Sequence, residues 1–271
     1  MGLRSRSGPD LLAQLTGHEP ICSRLLIVVA HPDDETITLG GQMWRLRDVL
    51  LLHVTDGAPR DGEDAQRLGF TELQDYAAAR QNELAAALVA GEANGVRTAA
   101  LGVPDKEAFL DLTGLSRQIL QWVRRERPAA VLTHPYEGGH PDHDATAFAA
   151  HAACRLAESH ERPVLIEMPF YHARDGQMVV GMFLPGPTDE LVVPLGDTAL
   201  LRKQRMVDCF RTQREMLCRF PLNPERFRIA PDYDFRQPPH AGALLYETFG
   251  WDITAADWRL RATAALEALG L

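Results

Sequence analysis

Short apolar runs of strand length alternate with longer amphipathic segments up to about residue 170. Leu25–Ala30 (LLIVVA), Val49–Thr55 (VLLLHVT), Val96–Leu101, Ala129–Thr133 (AAVLT) and Val164–Met168 read as strands. The first two are continuously apolar, the pattern of strands covered on both faces. Between them, Glu35–Arg47, Thr71–Ala90, Leu112–Arg127 and Pro141–Ala157 read as helices. A polar, Gly-containing stretch, Ala58–Gly69, has the length of an active-site loop. Strands alternating with helices imply right-handed crossovers and a mostly parallel sheet. The expected fold is therefore α/β, a Rossmann-like three-layer arrangement. In the common doubly wound orders the first and fourth strands are neighbours at the switch point, and ligands bind beyond their C-termini.

After residue 170 the alternation weakens. Met178–Leu184 predicts an antiparallel strand, Thr198–Phe220 one long helix, Leu222–Pro239 an irregular Pro-rich stretch and Trp258–Leu269 a terminal helix. The chain divides into an N-terminal extension, 1–22, and a single domain, 23–271, with 170–271 shaping the pocket rim.

Composition narrows the partners. The 271 residues are 45% hydrophobic and 24% charged, with a formal net charge of -9, which disfavours nucleic acid or an anionic membrane surface. No apolar run is long enough to span a bilayer, and Met1–Pro20 lacks the apolar centre of a signal peptide. Cys22, Cys154, Cys209 and Cys218 show no CxxC spacing; Cys209 and Cys218, placed on one helical segment, are too far apart to bridge. Free thiols and a cytoplasmic setting follow. The sequence carries no signature of oligomeric state.

Two runs carry the chemistry: His31-Pro32-Asp33-Asp34 after the first strand and His140-Pro141-Asp142-His143 after the fourth. Each has a His, then Pro, then a second potential ligand three positions on. Proline favours the first helical position, which predicts each His at a helix N-cap with its partner one turn up. His31, Asp34 and His143 then suit a divalent metal, Zn²⁺ or another transition ion, leaving a position open for water. Such an ion lowers the pKa of its water to about 7. Asp33, beside a ligand but not needed for ligation, is the candidate general base. His140, as imidazolium, is the candidate oxyanion stabiliser and acid. Asp142 orients an imidazole, and Glu35 either supports the site or favours the helix start. The implied reaction is metal-assisted hydrolysis of an amide or ester.

The stretch Ala30–Glu35 with Leu39-Gly40-Gly41, together with Gly139–His143, resembles the signature of the PIG-L/LmbE-like zinc de-N-acetylases. The resemblance implies the same ligands, His31, Asp34 and His143, with Asp33 as base and His140 assisting the oxyanion and leaving group. It further implies that Arg80 and Asp105 bind substrate, and that the substrate is a small N-acyl molecule, an N-acetylated amino sugar or its conjugate. Thr55-Asp56-Gly57, Lys203, Thr212 and Gln213 are weaker matches. Phe210 stands where a His is usual, and Gly138 where some members carry Tyr, Tyr136 being nearest. The competing readings are a metal-dependent amidase for a non-sugar amide, a metallophosphoesterase needing two metals, and a non-catalytic binding protein.

Other residues read as structural. His53 in its apolar strand and His151 read as core residues, and His134 as core or as a support for the site. His172 and His240 stand open between pocket and elsewhere. Tyr246, Phe249, Trp251 and Trp258 read as core or interface aromatics rather than a sugar platform.

Overall fold

A computed structural model describes residues 8–271; the first seven positions of the predicted N-terminal segment lie outside the described residues. A seven-stranded sheet organises the chain. Its strands are β1 (Leu25–Val29), β2 (Val49–Pro59), β3 (Val96–Asp105), β4 (Ala130–Thr133), β5 (Val164–Glu167), β8 (Glu190–Val193) and β9 (Glu225–Ile229). A separate hairpin pairs β6 (Tyr171–Arg174) with β7 (Gln177–Val180). The sheet order is β3-β2-β1-β4-β5-β9-β8, parallel from β3 to β5 and antiparallel at β9 and β8. β1 lies between β2 and β4, so the expected switch point is where the winding reverses.

Alternation along the central strands divides the core. Leu26, Val28, Leu50, Leu52 and Val131 face α5 (Leu112–Glu126), α6 (Pro141–Leu156) and α9 (Ala255–Leu269). Leu25, Ile27, Val29, Leu51 and Leu132 face α1 (Gly8–Thr16), α2 (Asp34–Leu39), α4 (Leu73–Ala90) and α7 (Asp197–Val207). Three layers result. No helix among the described residues is long and apolar enough to cross a membrane.

Several elements differ from expectation, each because of a specific packing contact. The helix predicted over Glu35–Arg47 stops at Leu39, followed by a 3-10 turn at Met43–Arg45. There Gly40 and Gly41 run against Lys203 and Leu195, and a Cβ on Gly41 would lie 2.6 Å from Leu195. The long helix predicted over Thr198–Phe220 is α7 followed by the short α8 (Arg214–Leu217). The break lets Thr212 bond Glu83 and Gln213 bond Tyr76 on α4. Cys209 and Cys218 therefore share no helix, and all four cysteines are free. The Ala58–Gly69 loop contains the end of β2 and α3 (Glu63–Arg67), held by a small cluster of Ala58, Ala65 and Tyr76. Strand β9 lies inside the stretch expected to be irregular. α1 inserts Leu11 and Leu15 into the core.

β9 hid from the pattern because its inward residues include charges that are paired within the fold. Glu225, fully buried, accepts from Lys203 Nζ at 2.9 Å and from the Gly41 N–H at 2.7 Å, tying α7, α2 and β9 together. Removing one partner strands the other's charge in the interior, at a cost of about 3–5 kcal/mol. In urea unfolding, Lys203→Met should lose about that much stability, and adding Glu225→Gln should restore part of it. Equal losses in the two variants would show that the pairing is not what holds α2 down.

Candidate active site

Parallel pairing of β1 with β4 (Leu25 opposite Ala130, Ile27 opposite Leu132) delivers the two His-containing runs to one end of the sheet. His140 is the N-cap of α6, with Pro141 at the first turn, and its Nδ1 accepts from the Asp142 N–H at 3.1 Å. His31 is not a cap: α2 begins three residues later, with Asp33 at its N-cap position. Asp33 makes no side-chain capping bond and has φ 146°, a strained conformation for a residue with a Cβ. Its carboxylate turns instead to Arg80, with Oδ2 3.0 Å from Nη2.

Three donors face one another. His31 Nδ1 is 3.2 Å from His143 Nε2, His143 Nε2 is 3.4 Å from Asp34 Oδ1, and His31 Nδ1 is 3.5 Å from Asp34 Oδ2. Ligands about 2.0–2.2 Å from a tetrahedral ion are separated by about 3.3–3.6 Å; the two nitrogens come close to that, and Asp34 meets each through a different oxygen. All three residues are buried. Donor groups close enough to hold a metal are His31–His140–His143, Asp34–His134–His143 and His31–Asp105–His140–Asp142. The cluster is a candidate metal centre.

The second nitrogen of His31 is held by carboxylates. Nε2 lies 3.1 Å from Asp105 Oδ1 and 3.5 Å from Asp142 Oδ2, the arrangement that fixes the ring's orientation. Asp142 also accepts from the backbone N–H groups of Lys106 and Ala108, joining β3's end to α6. Asp105, expected at the substrate, thus contacts His31 and also lines the cavity. Arg80, with the same expectation, is 3% exposed and donates to Gly57 O, Pro32 O and Asp33. Gly57, at φ 68°, admits this approach: a Cβ there would sit 2.9 Å from the guanidinium. Glu35 touches none of the three donors but accepts from the Asp33 N–H at 3.3 Å and from Thr36 Oγ1, and bonds His53 Nε2 at 3.0 Å. His53 is a satisfied core residue as expected.

Burial and charge set the protonation states. Burial raises Asp33 to about 8, against the pull of Arg80. Burial also opposes ionisation of Asp34, but His143 and His134 outweigh it and hold it well below the usual carboxylate range. For His31, burial is outweighed by Asp105, Asp142 and Asp34, which raise it well above 6.5. Burial, with His31 and His143 nearby, lowers His140 well below 6.5. The imidazolium expected at His140 is therefore disfavoured. With Nδ1 accepting, the neutral ring carries its proton on Nε2. Burial raises Asp142 to about 6 and lowers His134 to about 3. His134 Nε2 accepts from the Ala30 N–H at 2.8 Å, fixing the end of β1 beside Asp34.

A cavity of about 320 Å³ opens over this cluster, lined by His31, Asp33, Asp34, Asp105, His140 and His143 among others. Its walls hold residues that the sequence did not single out or placed elsewhere. Tyr171 of β6 packs 5.2 Å from His143, and Trp251 packs 4.9 Å from His140. Of the four late aromatics, Tyr246 and Trp258 are core, whereas Phe249 and Trp251 line the cavity. His172 is buried away from the lining, with Nδ1 3.5 Å from Glu137.

The approach to His140 depends on Gly139, where a Cβ would collide with the Tyr171 carbonyl. Glu137 accepts from the Phe170 and Tyr171 N–H groups at 2.9 Å, so the two segments cannot separate freely. Gly139→Ala should cost about 1–3 kcal/mol, measured by thermal or urea unfolding. Wild-type stability in that variant would contradict this close approach.

Residues 26–154 match the PIG-L family, described as GlcNAc-PI de-N-acetylase. The 1D-myo-inositol 2-acetamido-2-deoxy-alpha-D-glucopyranoside deacetylase of Rhodococcus jostii is 32% identical over 163 residues, 52% of this chain and 56% of that protein. The probable N-acetyl-alpha-D-glucosaminyl L-malate deacetylase 2 of Bacillus cereus is 30% identical over 146 residues, 52% of this chain and 65% of that one. The chain thus spans little more than half the length of the first of these relatives. A deacetylase from the teicoplanin biosynthesis pathway superposes with a TM-score of 0.61 at 18% identity, covering 78% of this chain and 99% of its own, and shares the fold. The matched stretch runs through both His-containing motifs, so residues 26–154 are similar to the PIG-L family of GlcNAc-PI de-N-acetylases.

Proposed function

We propose that the protein is a metal-dependent N-deacetylase acting on a small N-acetylated amino sugar or its conjugate. The observation that carries the reading is the trio of facing donors beneath the cavity, with Asp33 and His140 at its edge. His31, Asp34 and His143 would hold the ion, with Zn²⁺ the best match to two imidazoles and a carboxylate. When bound, the ion supplies Lewis acidity and makes water nucleophilic near neutral pH.

The chain's own groups move the proton and stabilise charge. Arg80 fixes one oxygen of Asp33, and the carboxylate accepts a proton from the attacking water. Burial favours the neutral carboxyl so formed, which passes that proton to the departing nitrogen. His140, neutral, donates from Nε2 to the acyl oxygen as negative charge gathers there. A C–O bond forms, the C–N bond breaks, and a carboxylic acid and an amine leave. Asp105 and Asp142 keep His31 in its ligating orientation. The four free cysteines support a cytoplasmic setting as part of the same proposal.

Metal analysis of purified protein should give close to one ion per chain, and two would favour a phosphoesterase. Asp33→Asn should keep the ion while amine release from an N-acetylglucosamine conjugate drops about 10²–10⁴-fold. Full activity in that variant would sink the base assignment. His143→Ala should lose the ion at equimolar metal, and undiminished occupancy would refute its role as ligand.

Acid should weaken metal binding. His31 takes up a proton above its ordinary pKa of 6.5, and the ion must displace it. Titrations should show affinity falling about tenfold per pH unit below the raised His31 pKa. A flat profile there would mean that His31 is not displaced by the ion.

A further inference from the structure

An apolar strip climbs one wall of the cavity from the donor cluster to the rim. Ile37 stands one turn above Asp34 on α2, on the same helix face. Tyr171 bridges from His143 to Phe220, its ring 5.2 Å from the first and 5.9 Å from the second. Leu217 of α8, Met216 beside it and Met178 of β7 complete the strip. Ile37, Tyr171, Leu217 and Phe220 are buried, and the two methionines are half-buried. The strip is continuous with the hydrophobic core on that side of the sheet, which anchors it. At the mouth Glu215 and Arg219 are exposed, with Arg219 Nη1 4.0 Å from the Met178 sulfur and Glu215 paired with Arg67.

The rest of the wall mixes charged side chains with the aromatic rings of Phe249 and Trp251. Asp64, Arg67 and Lys106 line it, and Lys106 lies 5.0 Å over the Trp251 ring beside His140. An acyl carbon held above the donor cluster has its oxygen at His140 and its water near Asp33. Two substituents remain, one a polar amino sugar and the other the alkyl part of the acyl group. The charged wall suits the first and the apolar strip suits the second. Methyl alone would leave most of that strip uncovered, and methionine side chains adapt to chains of different length.

We propose that this strip is an acyl subsite and that the protein removes N-acyl groups longer than acetyl as well as acetyl itself. The proposal rests on the hydrolase reading above and specifies its substrate class. Each methylene drawn into the subsite contributes up to about fourfold in kcat/KM.

The test compares N-acetyl-, N-butyryl- and N-hexanoylglucosamine as probes, following glucosamine release by the zinc-loaded protein. The hexanoyl probe should exceed the acetyl probe in kcat/KM by at least about tenfold. Met216→Asp, and separately Met178→Gln, should reduce that hexanoyl-to-acetyl ratio, the Asp variant by about tenfold or more, with metal content retained. Hydrolysis of the acetyl probe in preference to the longer ones would overturn the acyl subsite and leave deacetylation standing. An unchanged ratio in both variants would likewise overturn the subsite. Release of amine from none of the three would overturn the subsite and the hydrolase reading together.

Discussion

The parallel register of β1 against β4 is the constraint on which the rest depends. Those two strands lie where the winding of the sheet reverses, and the segments leaving them turn into α2 and α6. A slip of one residue would move one strand by about 3.3 Å and turn its apolar side chains to the opposite face. His31 Nδ1 and His143 Nε2, 112 positions apart in sequence, would no longer stand 3.2 Å from each other. The register is fixed by Leu25, Ile27 and Leu132 on one face and Leu26, Val28 and Val131 on the other. Core packing on both sides of a single sheet therefore sets the donor spacing.

A second layer of the design is electrostatic. The site buries Asp33, Asp34, Asp105 and Asp142 together, an arrangement that repels itself unless cations are interleaved. Arg80 sits against Asp33, and His31 sits between Asp34 and Asp105 and takes up a proton readily. A divalent ion held by the three facing donors would replace that proton with a stronger positive charge. The strain at Asp33, with φ 146°, belongs to the same arrangement, because it turns the carboxylate from capping α2 toward Arg80.

Much of this was legible in the sequence because the signals were local. LLIVVA and VLLLHVT read as buried strands, and the two His-Pro-Asp runs stood directly after β1 and β4. Elements whose logic is long-range were missed. β9 carries Glu225 and Arg228 inward, and these make sense only beside Lys203 on α7 and Glu167 on β5. The single helix read over Thr198–Phe220 breaks because Thr212 and Gln213 have partners on α4. In the site, spacing brought His31, Asp34, His140 and His143 to one place on paper, and the fold assembles them there. Spacing alone gave no sign that Arg80 would lie against Asp33 or Asp105 against His31. Tyr171, on a short hairpin with no motif around it, had no sequence signal at all, and Trp251 looked like an ordinary core aromatic.

The most direct test of the metal centre is to count imidazoles on the ion by X-ray absorption of the zinc-loaded protein. His31, Asp34 and His143 predict two imidazole nitrogens and carboxylate or water oxygens at about 2.0–2.2 Å in a four-coordinate shell. Three imidazoles would instead place the ion among His31, His140 and His143, removing His140 from the acyl oxygen and contradicting the account.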